Sequence, residues 1–284
     1  MRLAIYGSRR QDPYFSRIEA FLDTLSRRGD EVVMHSKLYQ YLLHVMPRAL
    51  GCVVRVTDSP DFTADIAVSI GGDGSFLRTA AWVAEKQIPI LGVNTGHLGF
   101  LASLGIDDLP QLPDMLDRDG YVVEPHSLLE VVEPRIDGWP YALNEVCVAK
   151  AESASIIDVN AMLGDIHLAN YRADGLIIAT PTGSTAYNLS VGGPIVQPSA
   201  PVFVLSPIAA HSLSMRPFVV DDSCVLTLRC DGRSPRFRLS IDGRSVMLDL
   251  DTRIVLQRAP FVVNAILLPG HNFAQTLRDK LSWG

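Results

Sequence analysis

The 284-residue sequence holds no apolar run near the roughly 18 residues that cross a bilayer as a helix. That argues against a helical membrane protein. Cysteine is scarce as well. Cys52, Cys147, Cys224 and Cys230 lie in apolar or strand-like surroundings without CxxC spacing. Such thiols fit a reducing, cytoplasmic compartment and make a thiolate metal site an unsuitable reading. Positive charge is not in surplus: 25 Lys and Arg against 31 Asp and Glu leave a net charge of −6. A broad nucleic-acid surface is not expected from that balance. The start of the chain turns charged at Arg9-Arg10, too early for a signal peptide. Three signatures are missing besides: the GxGxxG dinucleotide fingerprint, the P-loop Lys-Ser/Thr pair, and a GxSxG elbow that would make the His211-Ser212 pair a serine hydrolase. What is present is an ordinary globular composition, 48% apolar and 20% charged, with length for about two domains.

The chain is organised around one stretch. An apolar run of strand length, residues 65–70, enters Gly71-Gly72-Asp73-Gly74-Ser75. An amphipathic run (76–86) and a second apolar run (88–93) follow, giving a βαβ unit whose first turn is a phosphate-binding position. Glycines let the backbone approach a ligand, and the N–H groups of a helix start attract anions. A carboxylate there repels phosphate unless it removes a proton from a hydroxyl or sits beside a metal ion. Helix capping by Asp73 is an equally good reading of the local sequence.

Before this unit the pattern predicts strands at 3–7, 31–35 and 53–56 and helices at 14–28 and 38–50. Alternation of this kind argues for a parallel, doubly wound α/β sheet with ligands beyond the carboxyl ends of its strands. Residues 94–101, with Gly96, His97 and Gly99, emerge on that same edge. A helix is expected at 109–119. After Gly120 short β-rich runs dominate, so the expected division is 1–120 for an α/β domain and 121–268 for a β-rich, sandwich-like one. The tail 269–284 regains helical spacing through Phe273, Leu277 and Leu281 and is expected to dock on the first domain.

The second half has its own polar residues. Asn144-Glu145 interrupts an apolar strand pattern, and a solvated edge is the plainer reading of that pair alone. Asp174 opens a buried run that ends in Thr180-Pro181-Thr182-Gly183-Ser184-Thr185-Ala186-Tyr187-Asn188-Leu189-Ser190, followed by Gly192-Gly193-Pro194. One helix start needs one cap, whereas residues 180–187 offer four hydroxyl residues and an aromatic, which favours a binding loop.

These residues together resemble the ATP-dependent NAD kinase family of bacterial type. The resemblance rests on Gly71-Gly72-Asp73-Gly74, Gly96-His97-Leu98-Gly99-Phe100-Leu101, Asn144-Glu145, the Asp174 to Ser190 stretch with Gly192-Gly193-Pro194, and His211 to Pro217. It implies phosphoryl transfer from ATP, with Mg2+, to the 2′-hydroxyl of the adenosine ribose of NAD. It implies Asp73 as general base, and Gly72, Gly74 and Arg78 near the donor phosphates. Asn144, Glu145, Asp174, Thr182, Thr185, Ala186, Tyr187, Asn188, Leu189, Ser190 and Ala209 are implied around the dinucleotide; Arg172, like Arg78, is implied to meet phosphate charge, with a solvated surface arginine as the plainer, nearly equal reading of each. No dedicated protein metal site is implied. A homo-oligomer, dimer or tetramer, is expected from the same resemblance.

Rival readings are a lipid or sphingoid kinase with the same GGDG turn, a non-catalytic NAD(P)-sensing module, and an NAD-dependent oxidoreductase. The first lacks any membrane-attaching feature here, the second leaves Asp73 without a task, and the third lacks its fingerprint.

Overall fold

The computed structural model describes residues 1–7, 12–96, 99–118, 120–152 and 156–282. Arg9, Arg10, His97, Leu98, Asp119 and Trp283, all touched by the sequence reading, lie outside the described residues. The chain forms two compact units, Met1–Pro125 with Val263–Gly284, and His126–Val262. No helix among the described residues is long and apolar enough to cross a membrane.

The first unit is built on a parallel sheet. Its strands run Val53–Val56, Glu31–Met34, Arg2–Gly7, Ile66–Ile70, Ile90–Asn94 in space, and all pairings are parallel. Leu104–Gly105 and the end of the long strand Ile254–Leu267 also pair with Ile90–Asn94. Ile66–Ile70 and Ile90–Asn94 are buried at every residue, as expected of strands covered on both faces. Helix Phe15–Arg28 places Ile18, Phe21, Leu22 and Leu25 in the core at the 3.6-residue period, each such side chain contributing about 1.5–3 kcal/mol. Gly29 ends it in the left-handed conformation, φ 72°. The single helix expected at 38–50 is two pieces, Ser36–Val45 and a 3-10 turn Pro47–Cys52, because Pro47 cannot continue the hydrogen-bond ladder. The helix expected at 109–119 is likewise a 3-10 turn, Ile106–Gln111, leading into Leu112–Arg118. Strand order reverses between Arg2–Gly7 and Ile66–Ile70, which makes their carboxyl ends the switch point where such sheets bind ligands.

The tail helix Phe273–Leu281 returns to this unit with Leu277 buried.

The second unit is a sandwich of antiparallel sheets. One runs Phe218–Asp221, Val202–Ile208, Gly175–Ala179, Glu145–Lys150, Arg236–Ile241, Arg244–Asp249. The other contains Ile166–Ala173, Ile157–Leu163, Leu226–Gly232 and the start of Ile254–Leu267. Val148, Leu176, Ile178, Leu205 and Leu239 of the first sheet meet Val159, Tyr171, Leu228 and Leu256 of the second in one core. On the far face of the first sheet, Cys147, Ile177, Ala179 and Val204 are covered by Val191 and Val196. The 187–196 segment is therefore packed down on the sheet by its own apolar residues.

Candidate active site

Helix Asp73–Val83 starts directly after the Ile66–Ile70 strand, with Gly72 as its N-cap and no capping side chain. Asp73 is thus the first helical residue, and its carboxylate makes no capping hydrogen bond to the helix. It reaches the following loop instead. The Phe100 amide donates to Oδ2 at 3.0 Å and the Leu101 amide to Oδ1 at 3.1 Å. The Lys280 ammonium lies 3.8 Å from Oδ2, and the Asp73 side chain stays 32% exposed. Two glycines make this approach possible. A Cβ at Gly99 would stand 2.0 Å from Asp73 Oδ1, and one at Gly92 would stand 2.3 Å from the Leu101 carbonyl oxygen. The result is an open carboxylate, fixed by two backbone donors, at the positive end of a helix. Gly72 and Gly74 are exposed beside it. Arg78, one turn on and exposed, brings its guanidinium to 4.0 Å from where a Gly74 side chain would begin.

In the second unit, Glu145 begins its strand opposite Ala179, where the neighbouring strand passes into the Thr180-Pro181 loop. Asp242 holds this corner. Its carboxylate accepts from three consecutive amides, Leu143 at 2.7 Å, Asn144 at 2.9 Å and Glu145 at 3.1 Å, while its own amide donates to the Glu145 carbonyl. Asp242 and Gly243 both have positive φ, 46° and 77°, and form the two-residue turn between Arg236–Ile241 and Arg244–Asp249. Burial pushes the Glu145 carboxyl up to about 7, and the Asp242 charge adds to the shift against a Tyr187 amide bond. Glu145 Oε2 is buried with no hydrogen-bond partner among the described residues. Such an atom is costly unless a ligand completes it. Tyr187 stands over this corner, 44% exposed, its hydroxyl pKa raised first by burial and then by Cys147, Glu145 and Asp174. Asp174 accepts from the Lys150 ammonium at 2.6 Å.

The hydroxyls of the loop are engaged within it. Thr180 Oγ1 donates to the Leu143 carbonyl and accepts from the Gly183 amide at 3.1 Å. Thr182 Oγ1 meets His126 Nδ1 at 2.7 Å, Ser184 Oγ bridges both backbone groups of Val196, and Thr185 Oγ1 donates to the Thr182 carbonyl. Asn188 is fully buried: its amide donates to the Ser184 and Pro194 carbonyls, and its Oδ1 accepts from Ser206 at 2.6 Å. Thr182 and Asn188 therefore hold the loop in shape, whereas Tyr187 and Ser190 are exposed and Thr185, Ala186 and Leu189 half-buried. Ala209 is exposed with φ 47°, and Arg172 faces Asp158 at 3.8 Å with its side chain 63% exposed. The sequence reading missed Asp242, Lys150 and Lys280. Asp242-Gly243 between two strand-like runs was the available signal, since that dipeptide marks a tight hairpin.

Two family models match the chain. That described as the ATP-NAD kinase N-terminal domain covers residues 9–121, and that of the ATP-NAD kinase C-terminal domain covers residues 143–268. An NAD kinase from Porphyromonas gingivalis is 44% identical, and one from Bacteroides fragilis 38%, each over all of this chain and 98% of the relative. Among solved structures, an NAD kinase from Archaeoglobus fulgidus in complex with ATP matches with a TM-score of 0.76 at 26% identity, both chains covered in full. Yeast NADH kinase complexed with NADH matches with a TM-score of 0.87 at 21% identity, over all of this chain and 88% of that one, a likeness of fold. The chain belongs to the ATP-NAD kinase family.

Proposed function

We propose that the protein transfers the γ-phosphoryl group of ATP to the 2′-hydroxyl of the adenosine ribose of NAD, giving NADP and ADP, with Asp73 as general base. The observation that carries the assignment is the Asp73 carboxylate, withdrawn from helix capping and bound by the Phe100 and Leu101 amides. A carboxylate has about four lone-pair directions; the two amides take one on each oxygen and the Lys280 ammonium faces Oδ2, which leaves a free direction on Oδ1 for a substrate hydroxyl. In phosphoryl transfer the protein chiefly positions and neutralises, and the base accepts the hydroxyl proton as the new O–P bond forms and the bond to ADP breaks. The first unit would supply the base, the helix end and Arg78 for the donor.

The second unit would supply the dinucleotide contacts: Asn144, Glu145, Asp174, Tyr187 and the exposed residues of the 185–190 loop. A Glu145 carboxyl with its pKa near 7 can donate to or accept from a ribose hydroxyl at neutral pH. Among the described residues no three His, Cys, Asp or Glu side chains are grouped to hold a metal. A lone carboxylate beside backbone amides fits magnesium that arrives with the triphosphate and keeps phosphate oxygens and waters as ligands. When bound, it neutralises charge on the donor's phosphates. The exposed Phe218 and Val219 on an edge strand support a homo-oligomer, and four free cysteines support a reducing, cytoplasmic setting.

The test is incubation of the purified protein with NAD, ATP and magnesium, beside diacylglycerol and sphingosine controls. The expected product is NAD heavier by one phosphoryl group, with ADP in equal amount. Phosphorylated lipid, or no turnover at all, would overturn the proposal.

A further inference from the structure

The C-terminal helix Phe273–Leu281 lies beyond residues 9–121 and 143–268, the two segments the family models match. Its contacts nevertheless converge on the carboxylate. Lys280 Nζ is 3.8 Å from Asp73 Oδ2 and 4.6 Å from the centroid of the Phe100 ring. Phe273, at the start of the same helix, packs its ring 6.3 Å from Phe100. Phe100 in turn gives its backbone N–H to Asp73 Oδ2. One loop residue is thus clasped from both ends of the helix, and that residue and Lys280 bind the same carboxylate oxygen.

The helix is shaped to hold this grip. Asn272 Oδ1 caps it by accepting from the Gln275 amide at 2.9 Å, and Leu277 is buried. Its other charged side chains are occupied along the helix, Asp279 by Gln275 at 2.7 Å and Arg278 by Gln275 at 2.6 Å. Lys280 sits in the last turn, where the helix dipole favours a cation, and its side chain is only 27% exposed. The aromatic face of Phe100 gives its ammonium a second fixed partner.

We infer that Lys280 is a positioning residue for Asp73, and that the C-terminal helix is a wall of the phosphate-transfer site. The inference rests on the reading of Asp73 as the general base. A lone carboxylate repels an incoming triphosphate. An ammonium held against that carboxylate offsets the repulsion, and with the two amides it fixes the direction in which the free lone pair points. During transfer the sugar proton passes to Asp73, the sugar oxygen bonds to phosphorus and the bond to ADP breaks. Lys280 keeps its protons throughout.

The test uses the full chain with Lys280→Met, Lys280→Arg and Asp73→Asn, measuring kcat, KM for ATP, NAD affinity by calorimetry, and melting temperature. Lys280→Met is expected to lower kcat/KM for ATP by about tenfold or more while NAD affinity stays within about twofold. Lys280→Arg is expected to recover most of the loss, because it restores the charge. Lys280→Gln serves in the same way should the Met variant fail to fold. Wild-type kcat/KM for ATP in Lys280→Met, with Asp73→Asn inactive, would overturn this inference and leave the base assignment standing. Equal losses in the Met and Arg variants, accompanied by weaker NAD binding and a lowered melting temperature, would reduce the helix to a structural part and also overturn it. Full turnover by Asp73→Asn would remove the base assignment, and the inference with it.

Discussion

Gly99→Ala tests the geometry of the carboxylate by adding one methyl group. An ideal Cβ at that position stands 2.0 Å from Asp73 Oδ1 and 2.9 Å from its Cγ. Real Cβ atoms do not approach other heavy atoms within 3.0 Å, so the carboxylate oxygen must retreat by ~1 Å or more. The atoms in the way are the end of a side chain, which can turn aside without breaking the sheet. Turning aside stretches or loses the bonds from Phe100 and Leu101, each a charge-assisted bond of about 1.5–3 kcal/mol. Water meets the vacated amides in so open a site, so the expected loss of folding stability is about 1–2 kcal/mol. Misplacing a reacting group by ~1 Å costs about a hundredfold in rate. The assay is NADP formation from saturating NAD and ATP, beside calorimetric NAD affinity and a melting curve. The expected outcome is kcat lowered about a hundredfold, with NAD affinity unchanged to within about twofold. Wild-type kcat in a folded Gly99→Ala protein would refute the argument that the Asp73 orientation governs turnover.

Two further outcomes follow from the second unit. Asp242→Ala leaves the Leu143, Asn144 and Glu145 amides without their shared acceptor, and a denaturant midpoint should report a loss of about 3 kcal/mol together with weakened NAD binding; an unchanged midpoint would show that the turn does not need its carboxylate. Glu145 gives a pH signature: with its folded carboxyl near 7 and its ordinary value 4.5, the folded chain keeps a proton that the unfolded chain releases, so its contribution to stability falls as pH rises from 4.5 to about 7 and is level above. Glu145→Gln should remove that fall and gain about 3 kcal/mol relative to the parent between pH 4 and pH 8 in urea titrations, whereas a pH-independent offset would place the proton elsewhere.

The α/β unit was legible because its signals are local. Buried strands read as continuous apolar runs, helix Phe15–Arg28 keeps a strict 3.6-residue spacing, and Gly29 stops it where the pattern ends. The break at Met46-Pro47 was equally local, yet the apolar residues on either side concealed it. Ile254–Leu267 was harder. Its first residues pair antiparallel with Leu226–Gly232 and Ala265 pairs parallel with Ile90, so no single burial period runs through it. At the site, glycines and a carboxylate marked the GGDG turn, but its partners come from far along the chain. The Phe100 and Leu101 amides carry no side-chain signature, and Lys280 is 207 positions from Asp73 in a tail that reads as a plain amphipathic helix. In the hydroxyl-rich loop, Thr180, Thr182, Ser184 and Thr185 bond within their own unit, because a loop dense in turns must satisfy its own backbone, and composition alone does not separate such bonds from ligand contacts.

Asp73→Asn is the most direct test, since it keeps the side chain's size and an acceptor oxygen for one of the two loop amides while removing the ability to take a proton. Measured side by side, NAD affinity by calorimetry should match the parent, and NADP formation should fall by about a thousandfold or more, the range of a lost general base. An Asp73→Asn variant that binds NAD and forms NADP at the parent rate would contradict the account.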